Sequence, residues 1–367
     1  MKNGRLLWKT THPTRPPLLV TDSLVVLACR PSRAAREQAQ PVLRALDGEG
    51  LVRWEFVRPN VDTVHLVPHL VAGLVVAAVV SRDGSARVVE LDLEGRVVIE
   101  RQAPGVWPTL GSVLSFSTTS LIASHSDELV CLSGSRTVCF RVGSPEFVWE
   151  SAAAVSGFTR DCAFATLPVA LRKQGNPGFA ALDKKDGRVV WEADRMYNGI
   201  GTIPLGELFV EGAGSIWNRG PQSLVGLLSV PDGRVLWRTF LDGKQPSTVI
   251  TEDALFVVSR CTDGTWSLAA IDWNGTARAR VFTSPGPAEA RIALVAVGSA
   301  MAVWRSLELT EEVWCTTVED PGTNLWSLPE EASGGGSRAS PLDAAAFSPA
   351  GRLVLLREGE LVSCFGS

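Results

Sequence analysis

Ala180–Asp194 reads AALDKKDGRVVWEAD. A strand ends in Ala-Leu-Asp, a tight polar turn follows, and a second strand carries Val-Val-Trp. Leu182 and the Val189/Trp191 alternation give the period of two that marks a strand with one buried face. Gly187 sits where a hairpin turn needs a residue that tolerates positive φ. The same pattern recurs in Arg44–Phe56 (RALDGEGLVRWEF), Val89–Arg101 (VELDLEGRVVIER), Val225–Phe240 (VGLLSVPDGRVLWRTF) and Leu268–Phe282 (LAAIDWNGTARARVF).

The repeat is anchored on a glycine followed four positions later by a usually aromatic residue. The pairs are Gly4/Trp8, Gly50/Trp54, Gly95/Ile99, Gly187/Trp191, Gly233/Trp237, Gly275/Ala279 and Gly322/Trp326, with one longer-turned unit ending at Trp149. Successive anchors lie 42 to 50 residues apart, and the path from Trp326 round through the C-terminus to Trp8 is 49. A period of that length with about four strands per unit is the signature of a β-propeller blade. A blade cannot bury its faces alone, so it packs against its neighbours in a ring. The expected fold is therefore all-β, an eight-bladed propeller forming a single domain over residues 1–367. The blades fall at about 16–57, 61–101, 105–150, 155–194, 199–241, 245–283, 287–328, and 339–367 joined to 1–10. In the split unit, Gly351–Ser367 gives middle strands and Asn3–Thr10 a fourth strand with its Trp. Their pairing would close the ring and remove free sheet edges.

The ALDxxxGxxxW repeat resembles the quinoprotein-like, or pyrroloquinoline-quinone-like, eight-bladed propellers over nearly the whole chain. The resemblance implies the fold. It is held by quinone-dependent alcohol dehydrogenases and by non-enzymatic members, such as the outer-membrane assembly lipoprotein that binds partner proteins, so it leaves function open. The dehydrogenases of this family carry a calcium or lanthanide site, a catalytic Asp, a Trp platform under the quinone, a vicinal Cys-Cys pair and an export signal. This sequence has no adjacent cysteines, and Asp161 beside Cys162 and Arg160 is the one acid placed near a first strand with an arginine neighbour. Quinone-dependent redox activity is the least favoured reading, and no cofactor is expected.

Composition narrows the classes further. A net charge of −4 lacks the basic footprint of a nucleic-acid binder. Seven cysteines without a CxxC indicate neither a disulfide framework nor a zinc cage. Most sit in apolar strand contexts and read as buried thiols of a reducing, cytoplasmic compartment. Val26-Leu27-Ala28-Cys29 mimics a lipoprotein cleavage box, but Asp22 interrupts the apolar run it would need. The longest uncharged apolar run, Leu70–Val80, is too short to span a bilayer. The insertion Pro31–Gln40 has room for a turn of helix, and Glu330–Arg338 reads as a flexible linker.

Two polar sets divide between the two faces of the expected ring. The repeat turns carry Asp47, Glu49, Asp92, Glu94, Asp183, Asp186, Asp232, Asp272, Glu319 and Asp320 against only Lys184 and Lys185. Aspartates of that kind cap tight turns by accepting backbone N–H bonds; the competing reading is a docking face for a basic partner. On the opposite face the second strand tends to end in arginine: Arg30, Arg82, Arg172, Arg260, Arg305 and Arg357, with His125 and Arg219 nearest in the remaining blades. Guanidinium forks suit carboxylates and phosphates. The competing reading pairs each arginine with a nearby acid such as Asp83, Asp263, Glu308 or Glu358.

Trp107 in a crossover and Trp217 in a second-to-third loop, with Arg195, Tyr197 and Asn198, form a candidate aromatic and polar cluster on the arginine side. His65 and His69, four apart, lack an evident third ligand for a metal. No GxSxG elbow, phosphate loop or HExxH is present. The leading functional expectation is a non-catalytic binding or scaffold propeller holding a protein partner or an anionic small molecule at its arginine-lined face. The competing class is a cyclase or isomerase of secondary metabolism that orients its substrate in the funnel.

Overall fold

The computed structural model describes residues 5–30, 38–105, 107, 120–123, 128–134, 136–158, 161–167, 178–193, 200–202, 208–212, 222–229, 232–242, 244–250, 254–261, 263, 265–282, 291–297, 300–306, 311–317, 326–327, 342–348, 352–357 and 361–366. Residues 31–37 of the expected helical insertion and all of Glu330–Arg338 lie outside them.

The described residues form eight four-stranded sheets. The first holds β2 (Thr14–Val20), β3 (Val25–Cys29), β4 (Gln40–Leu46) and β5 (Val52–Arg58). The second holds β6 (Val61–Leu66), β7 (Val75–Ser81), β8 (Ala86–Leu91) and β9 (Val97–Ala103). In the third are β10 (Ser120–Ala123), β11 (Leu129–Ser133), β12 (Thr137–Arg141) and β13 (Phe147–Ser151). The fourth consists of β14 (Ala154–Phe158), β15 (Cys162–Leu167), β16 (Gly178–Asp183) and β17 (Val189–Ala193). The fifth is built from β18 (Ile200–Thr202), β19 (Leu208–Gly212), β20 (Gln222–Leu228) and β21 (Val235–Asp242). The sixth contains β22 (Lys244–Ile250), β23 (Ala254–Arg260), β24 (Trp266–Asp272) and β25 (Ala277–Phe282). The seventh is β26 (Arg291–Val297), β27 (Ala300–Ser306), β28 (Glu311–Thr317) and β29 (Trp326–Ser327). The eighth joins both ends of the chain, β30 (Leu342–Phe347), β31 (Leu353–Arg357) and β32 (Leu361–Gly366) with β1 (Arg5–Thr11). β1 runs antiparallel to β32, with Trp8 opposite Cys364 and Lys9 opposite Ser363.

Every ladder is antiparallel between strands adjacent in sequence, apart from the β1–β32 pair, so seven sheets are simple meanders. First strands touch first strands: β2 meets β6 and β30, β6 meets β10, β10 meets β14, and β26 meets both β22 and β30. Second strands are largely apolar in their middle positions. VVLAC in β3 is buried at every position, and β7 is buried up to its final serine, as expected of strands covered on both faces. Fourth strands alternate instead, as in β5, where Trp54 and Phe56 are buried and Arg53 and Glu55 exposed.

The core lies in the seams between consecutive sheets. One cluster joins Val26, Ala45 and Trp54 of the first sheet to Val64, Val75 and Leu91 of the second. Others join the second to the third, the third to the fourth, the fifth to the sixth, and the eighth to the first. The repeat anchor explains these seams. Trp54 lies against Gly95 of the next sheet so closely that a Cβ there would fall 2.6 Å from the indole. Gly95 also has φ +81°, so glycine is needed both for conformation and for space. The Trp54 indole N–H donates to the Leu93 carbonyl at 2.9 Å. Trp8, Trp149, Trp191 and Trp237 lie in the same way on Gly50, Gly187, Gly233 and Gly275. Trp149 and Trp237 donate to Lys184 O and Trp273 O at 2.7 and 3.1 Å.

At one seam the device changes. β9 has Ile99 where most fourth strands have Trp, and a buried ion pair takes over. Arg101 of β9 pairs with Glu90 of β8 and donates to the carbonyls of Arg141 and Ser144 in the third sheet's turn. Glu90 also accepts the Gly143 N–H at 2.8 Å. Glu90 is 1% exposed and Arg101 7%. Breaking such a pair is costly, because an unpaired buried charge is expensive.

Candidate ligand face

In a meander, first-to-second and third-to-fourth turns share one face, while second-to-third loops and crossovers share the other. On the latter face, Arg30 directly follows β3 and Arg82 directly follows β7, while Arg260 and Arg357 are the last residues of β23 and β31. Arg305 lies one residue before the end of β27, between Ile292 and Glu312 in the ladder. The chain latches two of these positions: Arg30 N donates to Pro13 O at 3.0 Å and Arg82 N to Asn60 O at 3.1 Å. The fold thus brings arginines of the first, second, sixth, seventh and eighth sheets to the same end of the second strand. Arg172, Arg195, Tyr197, Asn198, Trp217, Arg219 and His125 lie outside the described residues.

The acids nearest two of these arginines are engaged in their own turns. Asp83 accepts from the Ser85 N–H and hydroxyl at 2.9 and 2.7 Å, and Asp263 accepts from the Thr265 N–H and hydroxyl at 2.9 and 2.6 Å. The hydroxyl bond first, and then the backbone bond, hold each carboxyl below its ordinary pKa. The ion pairs among the described residues include neither Arg30, which is exposed, nor Arg82, which is half-buried.

Trp107 also lies on this side, its backbone N–H donating to Gly84 O at 2.7 Å. It is only 2% exposed and belongs to the core between the second and third sheets, with the Arg136 guanidinium 5.5 Å over its ring. It seals the crossover and presents no surface to a ligand. Asp161 lies elsewhere. It sits in the turn between β14 and β15, and the next residue, Cys162, pairs with Asp183. A first-to-second turn belongs to the face opposite the arginines, so Asp161 stands among the repeat turns.

On that turn face the aspartates cap. Asp47 accepts the N–H groups of Glu49 and Leu51, Asp92 those of Glu94 and Arg96, Asp183 that of Lys185, Asp232 that of Arg234, and Asp272 that of Thr276. Asp186 binds both the N–H and the guanidinium of Arg188. Where the eighth sheet meets the first, Trp8, Leu24, Asp47, Arg352, Val354 and Cys364 line a cavity of about 10 Å³, room for one water. His65 lies in β6 opposite Ala78 and His69 in the following turn. Among the described residues no three His, Cys, Asp or Glu gather as a metal set, and no helix is long and apolar enough to cross a membrane.

Two polar groupings are absent from the motif reading. One is the Glu90–Arg101 pair. Its signal was Glu90 standing where Ala45 and Ala181 stand in sister repeats, together with Ile99 for Trp. The other joins β1 to the first sheet. Arg44 pairs with Glu55 at 2.5 Å and donates to His12 Nδ1 at 2.6 Å. A guanidinium only donates, so Nδ1 accepts and Nε2 carries the proton toward Thr10 Oγ1, 3.2 Å away.

The family model for outer membrane protein assembly factor BamB, PQQ_2, matches residues 1–193, more than half the chain. The chain belongs to this family. No curated protein matches it. Among solved structures, this PQQ_2 member superposes on the Dos1 propeller with a TM-score of 0.61 at 12% identity, covering 99% of this chain and 95% of that one. A chain of the mitotic checkpoint complex gives 0.52 at 8% identity, again over 99% and 95%. At these identities the likeness shows the fold alone: an all-β propeller of PQQ-like repeats, an architecture consistent with binding in general.

Proposed function

We propose that the eight sheets are the blades of one closed single-domain ring, with β1 as the outer strand of the eighth blade, and that the molecule is a non-catalytic scaffold. It holds a protein partner or an anionic ligand at the face where second strands end in arginine. The observation that carries this reading is the recurrence of arginine at the same end of the second strand in five sheets. Asp83 and Asp263, held within their own turns, leave the positive charge of that face for a ligand. The proposed compartment is the cytoplasm, consistent with the buried, apolar setting of most of the described cysteines. The family's name, taken from an assembly factor, agrees with a partner-holding role.

The test is fluorescence anisotropy with a labelled poly-glutamate peptide as the probe. Binding is expected to weaken with salt. It should fall about tenfold or more in the Arg30→Ala/Arg82→Ala variant, since a charge-assisted contact contributes about 1.5–3 kcal/mol. Equal binding by that variant, or none by the natural chain, would remove the proposal.

A further inference from the structure

Cys131 of β11 and Cys139 of β12 stand directly opposite each other in the antiparallel ladder. Opposed residues project to the same face of a sheet, here into the seam between the third and fourth sheets beside Trp149, Val155 and Leu182. Both are 0% exposed and both are free thiols, and the Cys131 thiol is hydrogen-bonded with that of Cys139. Opposed Cα atoms of an antiparallel pair lie about 4.5–5.5 Å apart. A disulfide spans Cα separations of about 4.4–6.8 Å. The other described cysteines have no thiol across the ladder: Cys29 faces Thr14, Cys162 faces Asp183, Cys364 faces Trp8 and Val354, and Cys261 follows β23.

We infer that Cys131 and Cys139 are a disulfide site, closed when the chain folds in the presence of a small-molecule disulfide such as oxidised glutathione. The thiolate of one cysteine attacks the oxidant's sulfur–sulfur bond, forming a mixed disulfide and releasing one thiol. The second cysteine then attacks the protein sulfur, closes the cross-strand bond and releases the other thiol. The pair is oxidised by two electrons, the oxidant is reduced to two thiols, and the two protein protons pass to them. Timing follows from burial. Desolvation pushes the Cys131 thiol well above its ordinary pKa, and no oxidant reaches a fully buried sulfur. The bond therefore forms while the third sheet is still open, and the folded dithiol resists the same reagent.

The experiment uses the full chain, unfolded in urea and refolded either in a glutathione redox buffer or in reductant. The protein is then denatured, alkylated and digested with trypsin. Cleavage at Arg136 separates the two cysteines, so a bond appears as two joined peptides, two hydrogens lighter than the dithiol. The expected result is linkage after oxidative refolding, a higher urea midpoint than the reduced chain, and no linkage when folded, reduced protein meets the same buffer. The Cys139→Ala variant should show no difference in midpoint between the two buffers. Recovery of both cysteines alkylated after oxidative refolding, or Cys131 joined to any other cysteine, would overturn the assignment.

Discussion

Trp149 of the third sheet lies on Gly187 of the fourth, and its indole N–H donates 2.7 Å to the Lys184 carbonyl. This one contact joins a conformational requirement, a steric one and a hydrogen bond across a seam. Trp149→Ala would empty a site that is 5% exposed, and the expected cost is about 3–5 kcal/mol. Gly187→Ala adds a methyl group 2.8 Å from the ring at φ +72° and should also destabilise. Urea unfolding reads both; an unchanged midpoint for either would mean that the seam is packed differently.

The Glu90–Arg101 seam should respond asymmetrically. Arg101→Met leaves Glu90 buried without its cation, at a cost of about 3–5 kcal/mol. The double variant Glu90→Leu/Arg101→Met removes both charges and should recover most of that loss. Additive losses in the double variant would show that the two groups act independently.

His12 gives the fold a pH dependence. Burial first, and then the adjacent Arg44, lower its pKa below the usual histidine value, against an opposing pull from Glu55. The unfolded chain therefore takes up the proton more readily than the folded one. The stabilisation is complete above about pH 6.5 and declines as the pH falls below it. The His12 ring resonances should titrate below that value, and urea midpoints should drop between pH 7.5 and 5.5 more in the natural chain than in His12→Gln. An ordinary titration would break the Arg44–His12 assignment.

Much of the architecture was legible because one spacing carries it. Glycine and tryptophan four apart recur, since each copy builds half of one seam and half of the next, so the Trp8–Gly50 contact could be inferred from the Trp54–Gly95 pattern. Seams built another way were not legible. Glu90 and Arg101 are ordinary charged residues eleven apart, and only the ladder and the neighbouring turn show them to be partners. The candidate face was half legible. Strand parity places Arg30, Arg82, Arg260, Arg305 and Arg357 together, but the same parity sends Asp161 to the other face. Hydropathy alone does not tell a buried crossover Trp107 from one offered to a ligand.

The proposed closed ring rests on the chain's first strand completing its last sheet. The most direct measurement is urea unfolding of a chain lacking residues 1–11. Closure predicts a lower urea midpoint, since β32 is left with an open edge and Gly50 loses the half-buried Trp8. A truncated chain that unfolds with the same midpoint and the same slope would contradict closure.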